Sequence, residues 1–463
     1  IPFNRVSLMN VLEPQRELSI DVFPLDGVDP ARMKHKENGN HADNLFYQMR
    51  QDGDNKWLFI CHVDKPRNEA IAWNERWDIK IKGEYQAVCY DTMDGKIYPV
   101  KAAIKDGNTI IHHIASLHDS LLLKLLAIEN SKKADSVNAV DNVVKEEVFK
   151  IPQNQKNLPE PFQYRLEEHN SLLLDMAQYA FDEEEWQERE ELLRIDNLFR
   201  EKLHYPLRME ALAQPWTEKD EQKSEHVLKL CFHIYSEVEM NEVELAMEHP
   251  ETAEICWNGE TLEYIDSGFY VDESIRTCKL KKLQKGENTL FVKIPFGRKT
   301  NVEWMYLLGE FGVKTIGKYG IITNLPARLC YGDITTQNLA FYGGSLEYKS
   351  KVSTEAGIMN LEVSHYKGAL LEVFLDGENK GSLFMAPYRK NLGKVEKGEH
   401  EITIKVYGNR SNTFGVVHNA DRTESWYGPN LWRTTGNKWS YEYQLEQMGV
   451  LATPVYWIEE GTD

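Results

Sequence analysis

The sequence predicts a mostly β protein built from several antiparallel β-sandwich (jelly-roll) domains, with one or two helices and no TIM barrel. Three observations lead there. Short alternating strands bounded by turn residues recur about every ten residues, as in sandwich folds. A two-part hairpin grammar appears twice. No run of some 250 residues alternates strand with helix, as a (β/α)8 barrel requires.

The first series starts at Asn44. Leu45–Arg50, the turn Gln51-Asp-Gly-Asp54 and Lys56–His62 read as a β-hairpin, and Trp77-Asp-Ile-Lys-Ile-Lys82 alternates cleanly. Ala87–Tyr90, Ile97–Val100, Thr109–Ile114 and Ser120–Leu126 continue the series, and Leu18–Phe23 is a further candidate strand. Residues 1–129 therefore form one sandwich. Residues 130–164 lose the aliphatic pattern except at Val143–Ile151 and end in a Pro- and Asn-rich run, which predicts a linker with one strand. A second sandwich is expected over 165–314. It contains the one predicted helix, Trp186–Leu203, whose acidic lead-in Asp182–Glu185 suits the helix dipole. A third spans 315–463.

The second and third regions share a grammar. Glu254-Ile-Cys-Trp-Asn-Gly-Glu260, Tyr270-Val-Asp272 and Leu283-Gln-Lys-Gly-Glu-Asn-Thr-Leu-Phe-Val292 match Glu372-Val-Phe-Leu-Asp-Gly-Glu378, Ala386-Pro-Tyr388 and Val395-Glu-Lys-Gly-Glu-His-Glu-Ile-Thr-Ile404. Each unit is a strand, an Asn-Gly or Asp-Gly turn, a strand, an aromatic rung, a Lys-Gly-Glu turn and a long strand. Glycine supplies the positive φ that a type I′ turn needs. This grammar resembles the galactose-binding-like jelly roll that accompanies large glycoside hydrolases such as the family 2 β-galactosidase group. The likeness covers about residues 225–295 and 345–406. It speaks for the fold more than for any activity.

The first region is similar to the small sandwich that follows the catalytic barrel in rhamnosidase-type glycoside hydrolases. Its hairpin Tyr47–Arg50/Trp57–Ile60, Lys82-Gly-Glu-Tyr85, Asp91–Gly95 and Asp119–Leu123 carry that resemblance. It implies a non-catalytic C-terminal region whose partner is the catalytic barrel of the same polypeptide. The start at Ile1-Pro2-Phe3, without Met, fits a piece processed or cut from something longer.

Composition narrows the partners. A formal net charge of −19 opposes nucleic acid and anionic membranes. No stretch reaches the 18 or so apolar residues of a membrane span. Six scattered cysteines without a CxxC motif predict free thiols, which fits the cytoplasm, with secretion as the alternative. No phosphate-cradling loop, GxSxG motif or zinc spacing occurs, so no cofactor is expected. A structural calcium held by backbone and Asp oxygens is the one metal that such jelly rolls suggest.

Carbohydrate is the expected ligand. Tyr407–Tyr443 gathers Trp426, Trp432 and Trp439 among Gly, Asn, Thr, Ser and Arg with no aliphatic run. Aromatic faces beside hydrogen-bonding groups suit a pyranose, which has an apolar face and a hydroxyl rim. The candidate carbohydrate-binding residues are therefore Arg410, His418, Asp421, Trp426, Trp432 and Trp439, joined by Asp333, Gln337 and Tyr342 from the loop Gly332–Gly344. The competing reading packs these side chains between domains. Glycosidic catalysis would need two carboxylates. Glu303, Glu310 and Asp333, near aromatics, are candidates if the chain is a complete glycosidase with an inter-domain cleft. A third reading is a purely structural interaction module.

Overall fold

The computed structural model describes residues 4–25, 44–63, 74–93, 95–116, 118–128, 152, 154–161, 163–208, 224–421, 423 and 428–460. The fold is mostly β, in paired antiparallel sheets around three apolar cores. Three α-helices are described, Arg5–Leu12, Leu192–Lys202 and Ser411–Phe414.

The first sandwich faces a four-stranded sheet (Leu18–Pro24, Asn74–Lys82, Asn108–Ser116, Ala102–Lys105) against a five-stranded one. The five are Leu45–Asp52, Asn55–His62, Ser120–Ala127, Tyr85–Tyr90 and Ile97–Val100. Alternation decides the faces: Trp77, Ile79 and Ile81 are buried from one sheet, and Leu58, Ile60, Leu123 and Leu125 from the other.

The middle sandwich pairs Asn170–Leu174, Met305–Gly309, Val243–Glu248, Asp272–Leu280 and Asp266–Tyr270 in one sheet. Its other sheet centres on His226–Ser236 and Gly286–Phe296, whose eleven residue pairs run in unbroken register. The expected division at 314/315 falls inside a hairpin, Gly312–Ile316/Tyr319–Thr323, whose second strand joins this sheet parallel to His226–Ser236. The helix is shorter than the sequence suggests. Gln187–Glu191 pairs with Met176–Phe181 first, and the helix occupies only Leu192–Lys202. Its acidic cap is Glu191, which accepts from the Leu193 and Arg194 amides, and the Asp182–Glu185 run lies outside the helix.

The third core collects strands from both ends of the chain. Lys156–Asn157 pairs with Val455–Glu459, and Gln163–Leu166 with Leu346–Thr354, so the end of the expected linker belongs to the C-terminal sheets. The strand expected at Val143–Ile151 lies outside the described residues.

Both hairpins of the repeat form as the sequence grammar requires. Asn258 and Gly259 have φ of 49° and 84°, and Asp376 and Gly377 have 51° and 83°. Two consecutive positive φ values define a type I′ turn, whose twist matches its flanking strands. The later Lys-Gly-Glu turns differ: Gly286 has φ 104°, whereas Gly398 stays outside the positive region.

Candidate functional site

The aromatic segment turns inward. It leaves the last long strand, Gly398–Tyr407, and packs onto the middle sandwich, where Val417 joins the core and Phe414, Trp432 and Tyr443 flank it. The Trp432 indole N–H donates to the Phe414 carbonyl at 3.0 Å. The Trp439 ring lies 4.8 Å from His418 and 4.7 Å under the Arg194 guanidinium, while its own Nε1 is buried without a hydrogen-bond partner. Trp426 lies outside the described residues.

At the centre is a polar knot. His418, 3% exposed, places Nε2 2.7 Å from Asp175 Oδ2 and Nδ1 2.8 Å from the Ser440 carbonyl. Tyr443 donates its hydroxyl to Asp175 Oδ1 at 2.8 Å. Both imidazole nitrogens therefore face acceptors, an arrangement that wants both protonated. Burial pulls the His418 proton off, but the Asp175 hydrogen bond and charge outweigh it and lift the pKa above the usual value. Beside it Trp304 donates to Glu191 at 2.6 Å, and burial pushes the Glu191 carboxyl up to about 7 despite that bond and the capped amides. For His418 to meet a sugar hydroxyl, one of these buried bonds would have to break.

The remaining candidates are also engaged. Asp421 accepts from the Thr423 amide and hydroxyl and pairs with Lys438 at 2.9 Å; these donors hold its carboxyl well below the usual range. Asp333 accepts from the amides of Thr335 and Met448, and the Gln337 carboxamide bonds both backbone groups of Cys330. Tyr342, 1% exposed, donates to the Ser345 carbonyl and accepts from the Glu167 amide. Arg410 grips Glu168 with both terminal nitrogens.

That last pair leads to an open cleft of about 410 Å³ at the joint between the middle and C-terminal sandwiches. Glu167, Glu168 and His169, on the crossover from the C-terminal sheet to the middle one, form one wall. Phe269, Tyr270 and Val271 form the other, with Glu310 at the rim. Phe269 is 53% exposed. His169 and Glu310 face each other at 3.0 Å, both largely in water. Arg410 lies 6.0 Å from the Tyr270 ring, and Lys405 bonds Glu167 at 2.6 Å. Two sequence candidates, Arg410 and Tyr342, thus support this cleft from behind. Phe269, Glu168 and His169 were missed, because an isolated aromatic in a strand carries no signal of exposure.

Glu303, Glu310 and Asp333 do not come together: Glu310 borders the joint cleft, Glu303 borders another, and Asp333 caps a turn. Among the described residues no group of three or more His, Cys, Asp or Glu side chains is placed to hold a metal ion.

No protein-family model and no curated protein sequence matches the chain. Solved structures similar to it include glycoside hydrolases and an anti-sigma factor domain-containing protein from Clostridium clariflavum, the latter over 51% of this chain and 90% of its own at 9% identity and a TM-score of 0.14. A rhamnosidase from Novosphingobium sp. PP1Y aligns over 97% of this chain and 26% of its own, at 10% identity and a TM-score of 0.37. A β-D-mannosidase from Dictyoglomus thermophilum aligns over 51% of this chain and 31% of its own, at 10% identity and a TM-score of 0.20. A GH2 β-galacturonidase from Eisenbergiella tayi, bound to galacturonate, aligns over 53% and 37%, at 10% identity and a TM-score of 0.18. The chain thus spans between about a quarter and two fifths of the length of these glycoside hydrolases.

Proposed function

We propose that this chain is a non-catalytic accessory region of a glycoside hydrolase, which buttresses a catalytic barrel and holds glycan in the joint cleft. The observation that carries the reading is the half-exposed Phe269 ring set beside carboxylate and imidazole groups in an open cleft. An apolar face with hydrogen-bonding groups at its edge matches a pyranose. Val271 supports it: a β-branched residue at φ 65° on the cleft wall is backbone strain of the kind that gathers at binding sites. In this reading Arg410 and Tyr342 position Glu168 and Glu167. Trp432, Trp439 and His418 fix the two sandwiches to each other.

Affinity electrophoresis of the purified chain through immobilised plant and host glycans tests this. Retention by at least one glycan, lost in Phe269→Ala with folding intact, is expected. Absence of retention on every glycan would leave only the structural module. Two of the carboxylates that line the cleft, Glu168 and Glu310, favour a second reading as a complete glycosidase. Turnover of aryl-glycosides by this chain alone, abolished in Glu310→Gln, would decide for it.

A further inference from the structure

A second cleft, of about 420 Å³, opens in the middle sandwich beside Glu303, and its walls are set by a dedicated framework. The floor is apolar, from Met247, Val302 and Met305. The polar wall is Glu248, Asn301 and Glu303. Asn301 donates to Glu248 at 2.9 Å, accepts from Arg208 at 2.6 Å, and draws the Glu303 pKa down, so one carboxamide neighbours both carboxyls. The loop that carries Asn301 is clamped from behind. Arg200, 2% exposed and paired with Asp196 at 3.0 Å, donates to the Arg298 and Thr300 carbonyls, and Arg208 donates to Thr300 as well. Fixed polar groups over an apolar floor, in a cavity of this volume, are the ordinary make-up of a small-ligand site.

We propose that this cleft is a second ligand site, independent of the joint cleft, that holds a single uncharged sugar or polyol unit through hydroxyl hydrogen bonds to Glu303, Glu248 and Asn301. Two carboxyls and a carboxamide offer donors and acceptors to vicinal hydroxyls, and the methionine and valine floor takes the C–H face. The charged groups around Glu303 are Glu248, Arg433 and Arg208, with His249 and Lys299 at the mouth. Burial first, then Glu248, push the Glu303 carboxyl up to about 7, against the pull of Arg433, Asn301 and Arg208. The Arg433 Nε is buried and has no hydrogen-bond partner. A ligand that covers the cleft removes more water from Glu303 and so favours its neutral form. Affinity is therefore highest below pH 7 and falls as pH rises through it.

Saturation-transfer NMR and calorimetry with methyl glucoside, methyl galactoside and inositol test the site. Saturable binding of at least one probe is expected, weakening about tenfold from pH 6 to pH 8 as Glu303 ionises. Glu303→Ala should lose binding, and Glu303→Gln should keep it but remove the pH dependence. Thr252→Trp, on an exposed turn at the rim, should block the cleft without touching the core. Phe269→Ala should leave this binding intact, which separates it from the joint cleft. Lack of saturable binding for all three probes, or binding undiminished in both Glu303→Ala and Thr252→Trp, overturns the proposal.

Discussion

The middle and C-terminal sandwiches close the same hairpin with different chemistry. In the middle one, Asn258 and Asn288 meet side chain to side chain at 2.9 Å; in the other, Asp376 and His400 meet at 2.7 Å. The frames correspond bond for bond. Asn258 takes the Thr289 amide on its side chain and donates its own amide to the Thr289 carbonyl, and Asp376 does the same with Glu401. Asn288 then donates to the Gln284 carbonyl at 2.7 Å, where His400 reaches the Glu396 carbonyl at 2.9 Å. One geometry is served by a buried neutral pair and by a half-exposed ionic pair. Backbone shape, set by the two positive φ values, fixes the positions; burial decides which chemistry is tolerable there. Asn288 is fully buried, where an uncompensated charge would be expensive, whereas His400 in the same place keeps 14% of its side chain exposed and its partner Asp376 is half exposed.

The largest break comes from the buried side. Asn288→Ala strands the Gln284 amide and the Asn258 carboxamide, and should cost about 3 kcal/mol in denaturant unfolding of the middle sandwich. The loss should be the same at pH 5 and pH 9. The residues that lead into the next strand offer a smaller contrast. Val271 and Tyr388 stand directly before Asp272–Leu280 and Arg389–Val395, with φ of 65° and 55°. Val271→Gly relieves a β-branched strain and should stabilise by about 1 kcal/mol, a sign opposite to that of most glycine substitutions. Equal cost is the expected result at the turn glycines. Gly259 and Gly377 have open space around a Cβ but φ of 84° and 83°, so Gly259→Ala and Gly377→Ala should each lose about 1 kcal/mol. A difference above about 0.5 kcal/mol between them would mean the two turns are not one device.

Much of the fold was legible because its signals are local. Trp77-Asp-Ile-Lys-Ile-Lys82 alternates within six residues, and Asn258-Gly259 and Asp376-Gly377 carry their turn type in two. The helix start misled for the complementary reason. Acids at 182–185 look like a dipole cap, but Gln187–Glu191 is claimed by a neighbouring strand that only the fold supplies. The direction of Tyr407–Tyr443 was illegible too. His418 is anchored by Asp175, 243 residues away, and composition is the same whether tryptophans face water or a neighbouring sandwich. Asp175 had one sequence signal, a charge closing the apolar run Leu172-Leu-Leu, which marks a buried acid in need of a partner. Glu303 stood out among its aromatic neighbours, but Glu248 did not, since only the sheet brings their loops to one cleft.

The smallest effect is the most discriminating, because only the ionic clasp can titrate near neutrality. The hydrogen bond that His400 donates to Asp376 first, then the one it donates to the Glu396 carbonyl, raise its pKa above the usual 6.5, against burial. His400 and the Glu401 amide lower that of Asp376, also against burial. A raised histidine contributes stability that is complete below its unfolded pKa and lost as pH climbs through the folded one. A lowered aspartate contributes stability present above its unfolded pKa and lost as pH falls through the folded one. The clasp is therefore strongest between about pH 4 and 6.5 and weakens on either side. With Asp376 half in water, the pair is worth only about 0.5 kcal/mol. That is enough to read in amide exchange, about twofold faster for Glu401 at alkaline pH after correction for intrinsic rates, with Thr289 unchanged. The double variant Asp376→Asn/His400→Asn rebuilds the neutral clasp of the middle sandwich and should make Glu401 as indifferent to pH as Thr289. A pH response that survives in that variant would place the titrating group elsewhere and separate the two clasps in kind.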